Sequence, residues 1–264
     1  MSQPDIRYLS LGWGIQSWTL AAMAALGEIP PLNLAIHADT THEMAGTYAH
    51  AAKWQPWLEA HGVPVVTVKP ADPGVFGHSA GGKPALQIPA FGGYGQVNRQ
   101  CTGHWKIEPI RRELRRRLGK GRPRAGAVEA VLGISLDEWH RMKSSNVAYI
   151  VNTYPLVDMR LSRAGCVDWL NRHGLEIPPK SACSFCPYHG KAGWKALKAA
   201  GGPDWERAVA VDEAIRKTTP KFDMFLHSSK LPLAEAVRIP EDFGAKQPDM
   251  FDENRPCDGG TCFV

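Results

Sequence analysis

The chain has 264 residues, 44% hydrophobic and 22% charged, with a formal net charge of +5. That size supports one sizeable α/β core with an appendage, or two small domains. No apolar run approaches the roughly 18 to 20 residues of a membrane span, and MSQPD at the N-terminus lacks the basic and apolar regions of a signal peptide, so a soluble, cytoplasmic protein with no membrane partner is expected.

In chain order, IRYLSLG reads as a strand, SWTLAAMAALG as a helix closing on Gly27, LNLAIHA as a second strand, residues from about Glu43 to His61 as a helix, and VPVVTV as a third strand. Short apolar strands separated by helical patterns predict an α/β fold, an open parallel sheet with helices on both faces. Residues 70–98 are dense in Gly and Pro and predict a long surface loop. Between Lys106 and Arg124 the chain carries only two acids, so a basic helix is expected there, as a solvated face or as a phosphate or nucleic-acid footprint. AVEAVLGI reads as a fourth apolar run and AYIVNTYPLVD as an extended stretch. A helix follows from Ser162, a plausible N-cap, to Gly174. Pro178 and Pro179 mark a boundary. Beyond them AGWKALKAAGG and PDWERAVAVDEAIRK are helical, and from Ile239 the composition turns polar. The expected organisation is residues 1–160 as a nucleotide-binding α/β domain and 161–264 as a mainly helical, Cys-containing C-terminal region packed on it as one unit.

The stretch SLGWGIQS, residues 10–17, joins the first strand to the first helix. Such a turn leaves backbone N–H groups aimed at one spot where the helix dipole favours an anion. Gly12 and Gly14 permit close approach, and Ser10 and Ser17 can add hydroxyls. A dinucleotide fingerprint would need Gly where Ser17 stands. A nominal Walker loop at residues 77–84 has Pro84 in place of the hydroxyl that holds magnesium and no strand leading into it. Asp39, at the C-terminal end of the second strand, stands where ligands gather in open parallel sheets, and takes a nucleotide or magnesium role or caps the next helix. Arg99, Lys106 and Arg160 flank the motifs and are better anion candidates than the outer arginines. Trp13 belongs to the core or stacks on a base. Asp137 and Glu138 can pair with Arg141 and Lys143 across one turn.

Six cysteines at uneven spacing, without a secretion signal, point away from a disulfide framework and toward metal or redox work. CSFC fits zinc, an iron–sulfur cluster or a redox disulfide. Thiolates from Cys101, Cys183 and Cys186 can ligate a 4Fe-4S cluster, with the fourth iron open or held by Cys257 or Cys262. His104 and His189 read as hydrogen-bonded or solvent-facing rather than as ligands, and Cys166 as a buried small hydrophobe.

GWGIQS resembles a loose form of the pyrophosphate loop of the adenine nucleotide α-hydrolase (PP-loop) superfamily, in its phosphoadenosine phosphosulfate (PAPS) reductase-like branch. Gly14 and Ser17 fit the strict SGGxDS form; Trp13 and Gln16 depart from it. HADTTHE, NRQCTGHWKIEPIRREL, LGISLDEWHRM and KSACSFCPYHG extend the likeness from about Tyr8 to the end, toward an iron–sulfur group often carried on phages or genomic islands. The resemblance implies an adenine nucleotide α-hydrolase-like fold, with ATP and Mg2+ bound by Ser10, Gly12, Gly14, Gln16, Ser17 and Asp39. It implies catalysis by Asp39, Arg99 and Lys106, and a 4Fe-4S cluster, or zinc instead, on Cys101, Cys183, Cys186 and Cys262. The implied reaction is ATP-dependent adenylation followed by sulfur transfer, with tRNA or DNA as acceptor, a sulfur donor protein or sulfide, and a homodimer as an open state of assembly. Two other readings are a sulfonucleotide reductase, although its ECGLH-type motif is absent, and a non-enzymatic, metal-containing nucleic-acid-binding module.

Overall fold

The computed structural model describes residues 3–78, 84–93, 95–97 and 100–238. In order, the elements are β1 (Ile6–Ser10), α1 (Ile15–Ala25), β2 (Leu34–Ala38), α2 (Ala45–Ala60), β3 (Val65–Val68), β4 (Phe76–His78), β5 (Pro84–Leu86), β6 (Ala90–Gly92) and β7 (Gly95–Val97). A π-helical turn (Thr102–Ile107) leads into α3 (Glu108–Leu118), followed by β8 (Val128–Val131), a 3-10 turn (Leu136–Arg141), β9 (Ile150–Thr153), α4 (Pro155–Asp158), α5 (Arg163–Arg172), α6 (Lys191–Ala200), α7 (Gly202–Ile215) and α8 (Leu233–Ala236). Among the described residues the chain divides into two compact units that interleave in sequence, one of 3–71 with Trp105–Ser181, the other of Asp72–His104 with 182–238.

The first unit holds a parallel sheet in the order β3-β2-β1-β8-β9, the α/β arrangement expected from the alternation of strands and helices. Tyr8 lies opposite Leu34 on one side and Ala130 on the other. Because side chains alternate across a strand, neighbouring residues serve different cores. Leu9, Ala35 and Val131 pack with Trp18, Leu20, Trp169 and Leu170 from α1 and α5. Tyr8, Leu34, Ile36, Val128 and Ala130 pack with Ile110 and Leu114 of α3. Helices therefore cover both faces, which is why the central strands read as almost unbroken apolar runs. Each fully buried large side chain, such as Trp18 or Leu20, contributes about 1.5–3 kcal/mol relative to exposure.

Local signals fix several ends. Ser162 accepts a hydrogen bond from the Gly165 N–H at 3.1 Å, a side-chain N-cap, and the chain leaves α5 at Gly174 with φ +63°. Two readings need correction. The segment after β3 is not one irregular loop: β4 pairs with β5 and β6 with β7 as two antiparallel ribbons. The stretch AYIVNTYPLVD is extended only through Thr153 and then turns into α4, where Pro155 occupies the first helical position.

In the second unit, Phe91 of β6 bridges Phe225, and the buried Asp212 of α7 accepts the Leu226 and Leu233 N–H groups at 2.8 and 2.9 Å. One carboxylate thus ties α7 to two later segments. No helix among the described residues is long and apolar enough to cross a membrane.

Candidate functional site

β1 sends its chain through α1 to β2, while β8, its other neighbour, is reached only after the excursion beyond β3. Strand order reverses between them, and in open α/β sheets ligands bind at the carboxyl ends of the strands at such a point. Residues 11–14 form that end. Leu11 N–H donates to Ile36 O at 2.9 Å, and Trp13 then turns the backbone at φ +57°, a left-handed conformation costly for a bulky residue. Packing holds it there. Trp13 is 1% exposed, with ring centroids 6.1 Å from Trp18 and 5.9 Å from His50, so it is a core residue and not a platform for a base.

Gly14 caps α1 with extended backbone and no side-chain hydrogen bond, so the first-turn N–H groups of the helix have no side-chain acceptor at its N-cap. Ser17 braces the turn: its hydroxyl accepts from Gly12 N–H and donates to Gly14 O, both at 3.2 Å. Ser181 donates to Gly12 O from outside the loop. Gly133, just past β8, lies so close that a Cβ there would sit 2.9 Å from Ser17 N and 3.1 Å from Ser17 Cα. Glycine is required at that position for the approach of two backbones.

Gln16 faces inward. Its amide nitrogen donates to Glu138 Oε1 at 3.2 Å and lies 3.5 Å from Ser135 Oγ, while its oxygen accepts from Arg163 at 3.1 Å. Glu138 is paired with Arg141, both buried, and burial raises the Glu138 carboxyl above its usual range despite that guanidinium. The structural pairing expected of Glu138 and Arg141 is present. Asp137 instead accepts the Arg163 N–H at the start of α5.

A pocket opens beside the loop, lined by Ser10, Leu11, Gly12, His37, Ala38, Glu43, Lys106, Ile107 and Ile110. Of the expected site residues it gathers Ser10, Gly12 and Lys106. His37 is buried, and desolvation lowers its pKa, so it is neutral near pH 7; its Nδ1 then donates to Leu11 O at 3.1 Å, leaving the lone pair on Nε2. Asp39 is not part of the lining. Burial would raise its carboxyl, but the Tyr48 hydroxyl and the Thr41 N–H, each 2.7 Å from Oδ1, together with His37 and Lys69, hold it below its usual value. Lys69 Nζ lies 3.5 Å from Oδ2, so both oxygens of Asp39 are engaged. Glu43 is 2% exposed: its Oε1 stands 3.4 Å from Lys106 Nζ and 3.5 Å from Thr40 Oγ1, and its Oε2 has no hydrogen-bond partner.

His37, Glu43, Gly133 and Ser181 were not singled out from the sequence. The visible signal for the first two was HADTTHE itself, whose last acid stands four positions beyond Asp39. Arg160 is exposed with φ +55°, outside the pocket. Arg99, Cys257 and Cys262 lie outside the described residues.

The cysteines of the second unit form a different picture. Cys101, Cys183 and Cys186 are half-buried, and Cys186 N–H donates to Cys183 O at 3.0 Å in a tight turn. His189 faces Cys183 O through Nε2 at 3.0 Å, and His104 is hydrogen-bonded to Gln87. Among the described residues no three His, Cys, Asp or Glu side chains converge on a metal position. The described part of the chain therefore does not assemble a cluster or zinc cage, both of which need three or four ligands. Magnesium needs no such cage, since it keeps several waters and takes one or two carboxylates with substrate phosphates, and the buried Glu43 of the pocket lining is a carboxylate of that kind. Cys166 is buried in α5 and its thiol is pushed up to about 12 by that burial, as befits a small hydrophobe.

No protein-family model matches the chain, and no curated protein matches it. Among solved structures it is similar to the crystal structure of phosphoadenylyl-sulfate (PAPS) reductase from Candida auris in a phosphate complex. The likeness covers 67% of this chain and 76% of that one, at 14% sequence identity and a TM-score of 0.42.

Proposed function

We propose that the chain is an ATP-using enzyme that adenylates an acceptor with release of pyrophosphate and then transfers sulfur to it, the acceptor being tRNA or DNA. The observation that carries this reading is the pocket at the end of β1, where the glycine loop that starts α1 and the Lys106 ammonium line the same space. A cation beside a strand-to-helix turn offsets the charge that develops on a phosphate under attack. The motifs GWGIQS and HADTTHE, with their resemblance to PP-loop proteins, select an adenine nucleotide as the phosphate donor.

In the first step an oxygen of the acceptor attacks the α-phosphorus of ATP. The new O–P bond forms as the bond to the β-phosphate oxygen breaks, and pyrophosphate leaves. Lys106 offsets charge on the phosphoryl oxygens. Magnesium, when bound, would neutralise the leaving pyrophosphate. In the second step sulfide, free or delivered as sulfide by a donor protein, attacks the activated carbon. A C–S bond forms, the C–O bond breaks, AMP departs with the electron pair and the S–H proton passes to solvent. The basic face of α3, with Arg112, Arg115 and Arg116, suits a phosphate backbone.

The test is exchange of labelled pyrophosphate into ATP in the presence of bulk tRNA or DNA. Exchange is expected in the wild type, with kcat/KM lowered about 100- to 1,000-fold in Lys106→Ala. Sulfite release from a sulfonucleotide with no pyrophosphate exchanged would establish a reductase instead.

A further inference from the structure

We infer that Glu43, through Oε2, is the protein's ligand for the divalent cation that accompanies the nucleotide. The inference rests on the reading of the pocket as an ATP site and assigns its metal to one residue. Glu43 is almost fully buried and lines the pocket beside Ser10 and Gly12. One of its oxygens faces Lys106 at 3.4 Å and Thr40 at 3.5 Å, both long contacts, and the other has no hydrogen-bond partner in the protein. A carboxylate held out of water with half its acceptor capacity unused is costly unless a ligand completes it. An anion cannot do so; a cation can.

Asp39, the acid that the sequence offered for this role, is already satisfied. Tyr48 and Thr41 bond one oxygen and Lys69 neighbours the other. Asp39 shapes the turn after β2, and Thr41, which donates to it, takes φ +66° to do so. The coordination chemistry agrees with a single protein oxygen. Magnesium completes an octahedron with phosphate oxygens and water around one or two carboxylates, so no three-ligand protein cage is needed. Lys106 and the cation would then both offset phosphate charge, with Glu43 beside each through a different oxygen.

The experiment measures ATP binding by calorimetry in EDTA and with Mn2+, together with Mn2+ binding by loss of the free-ion EPR signal, for wild type and Glu43→Gln. Expected is at least tenfold tighter ATP binding with Mn2+ in the wild type. In Glu43→Gln the Mn2+ tightening, taken as the ratio of its own affinities with and without Mn2+, is expected to fall below twofold, with the free-ion signal restored. A Glu43→Gln protein that keeps the full Mn2+ tightening would overturn the inference. So would one that binds metal-free ATP more tightly while keeping that tightening, which would make Glu43 only a counter-ion of Lys106. A wild type that binds ATP under neither condition overturns the nucleotide reading itself, and the metal assignment with it. If Glu43→Gln does not fold, Glu43→Asp carries the test: its shorter carboxylate is expected to weaken the Mn2+ tightening several-fold, and an unchanged value overturns the assignment.

Discussion

Gly133 is the residue on which the loop geometry turns, because nothing larger fits between the end of β8 and the first turn of α1. Adding one methyl group would drive it against Ser17 backbone atoms, 2.9 and 3.1 Å away, rather than against a flexible side chain. Gly133→Ala is expected to cost about 1–3 kcal/mol in urea unfolding and to weaken ATP binding as well, since the displaced backbone belongs to the loop. A loss of stability with unchanged ATP affinity would show that the loop moves as a rigid piece. Glu138 poses a different single-residue problem. Replacing it by Ala leaves Arg141, itself 5% exposed, without its carboxylate. Breaking a buried pair from one side costs about 3–5 kcal/mol, to be read from the shift in urea midpoint. Gln16 explains why the pair sits there: its amide bonds Glu138, and an aspartate in that place would set two carboxylates against each other.

At the scale of elements, α2 meets α1 through rings. His50 lies among Trp13, Trp18 and Trp54, with centroids 5.9, 5.2 and 6.3 Å away, and neither ring nitrogen has a hydrogen-bond partner. Desolvation by this packing drops the His50 pKa from 6.5 to about 4, against the pull of Glu176 at 4.0 Å. The folded state therefore binds fewer protons than the unfolded chain, which takes one up near 6.5. Stability is full above that pH and is lost as pH falls toward 4, by roughly 2–3 kcal/mol between pH 7 and pH 4.5. His50→Phe is expected to flatten that part of the acid limb in urea unfolding at the two pH values; an unchanged slope would place the titration elsewhere. The basic helix is less open than its composition suggests. Arg116 and Arg117 close on Glu113, whose pKa they pull down to about 2, and Arg112 and Arg115 bond the carbonyls of Lys69 and Gly121. Exposed pairs of this kind are screened by solvent and hold the guanidinium groups only weakly.

On the scale of the whole molecule, the pocket belongs to the unit built on the parallel sheet, and the CSFC turn to the other. Ligand that binds only the folded state stabilises it by about 2.7 kcal/mol at a hundred times Kd. With Mg2+ and ATP, slower amide exchange is expected across residues 10–17 and 36–43 but not across the ribbons of β4 to β7. Protection spread equally over both units would show that they unfold together.

Much of the first unit was legible because its signals are local. Apolar runs of four to seven residues, a glycine turn before a helix, a serine cap and a closing glycine each act within one or two turns of chain, and they fixed the parallel α/β class, Ser162 as cap and the loop at residues 10–17. The ribbons within residues 70–98 were missed because Gly and Pro mask short strands that only pairing stabilises. The site itself needed the fold. Gln16 and Glu138 are 122 residues apart, and the Gly133 approach to Ser17 exists only because β8 lies beside β1. Asp39 and Glu43 look alike in HADTTHE, and only packing gives them different surroundings: it supplies Asp39 with Tyr48 and Lys69 and leaves one oxygen of Glu43 without a hydrogen-bond partner. Sequence determines what a short stretch of chain prefers; the sheet order decides which distant groups arrive to satisfy it.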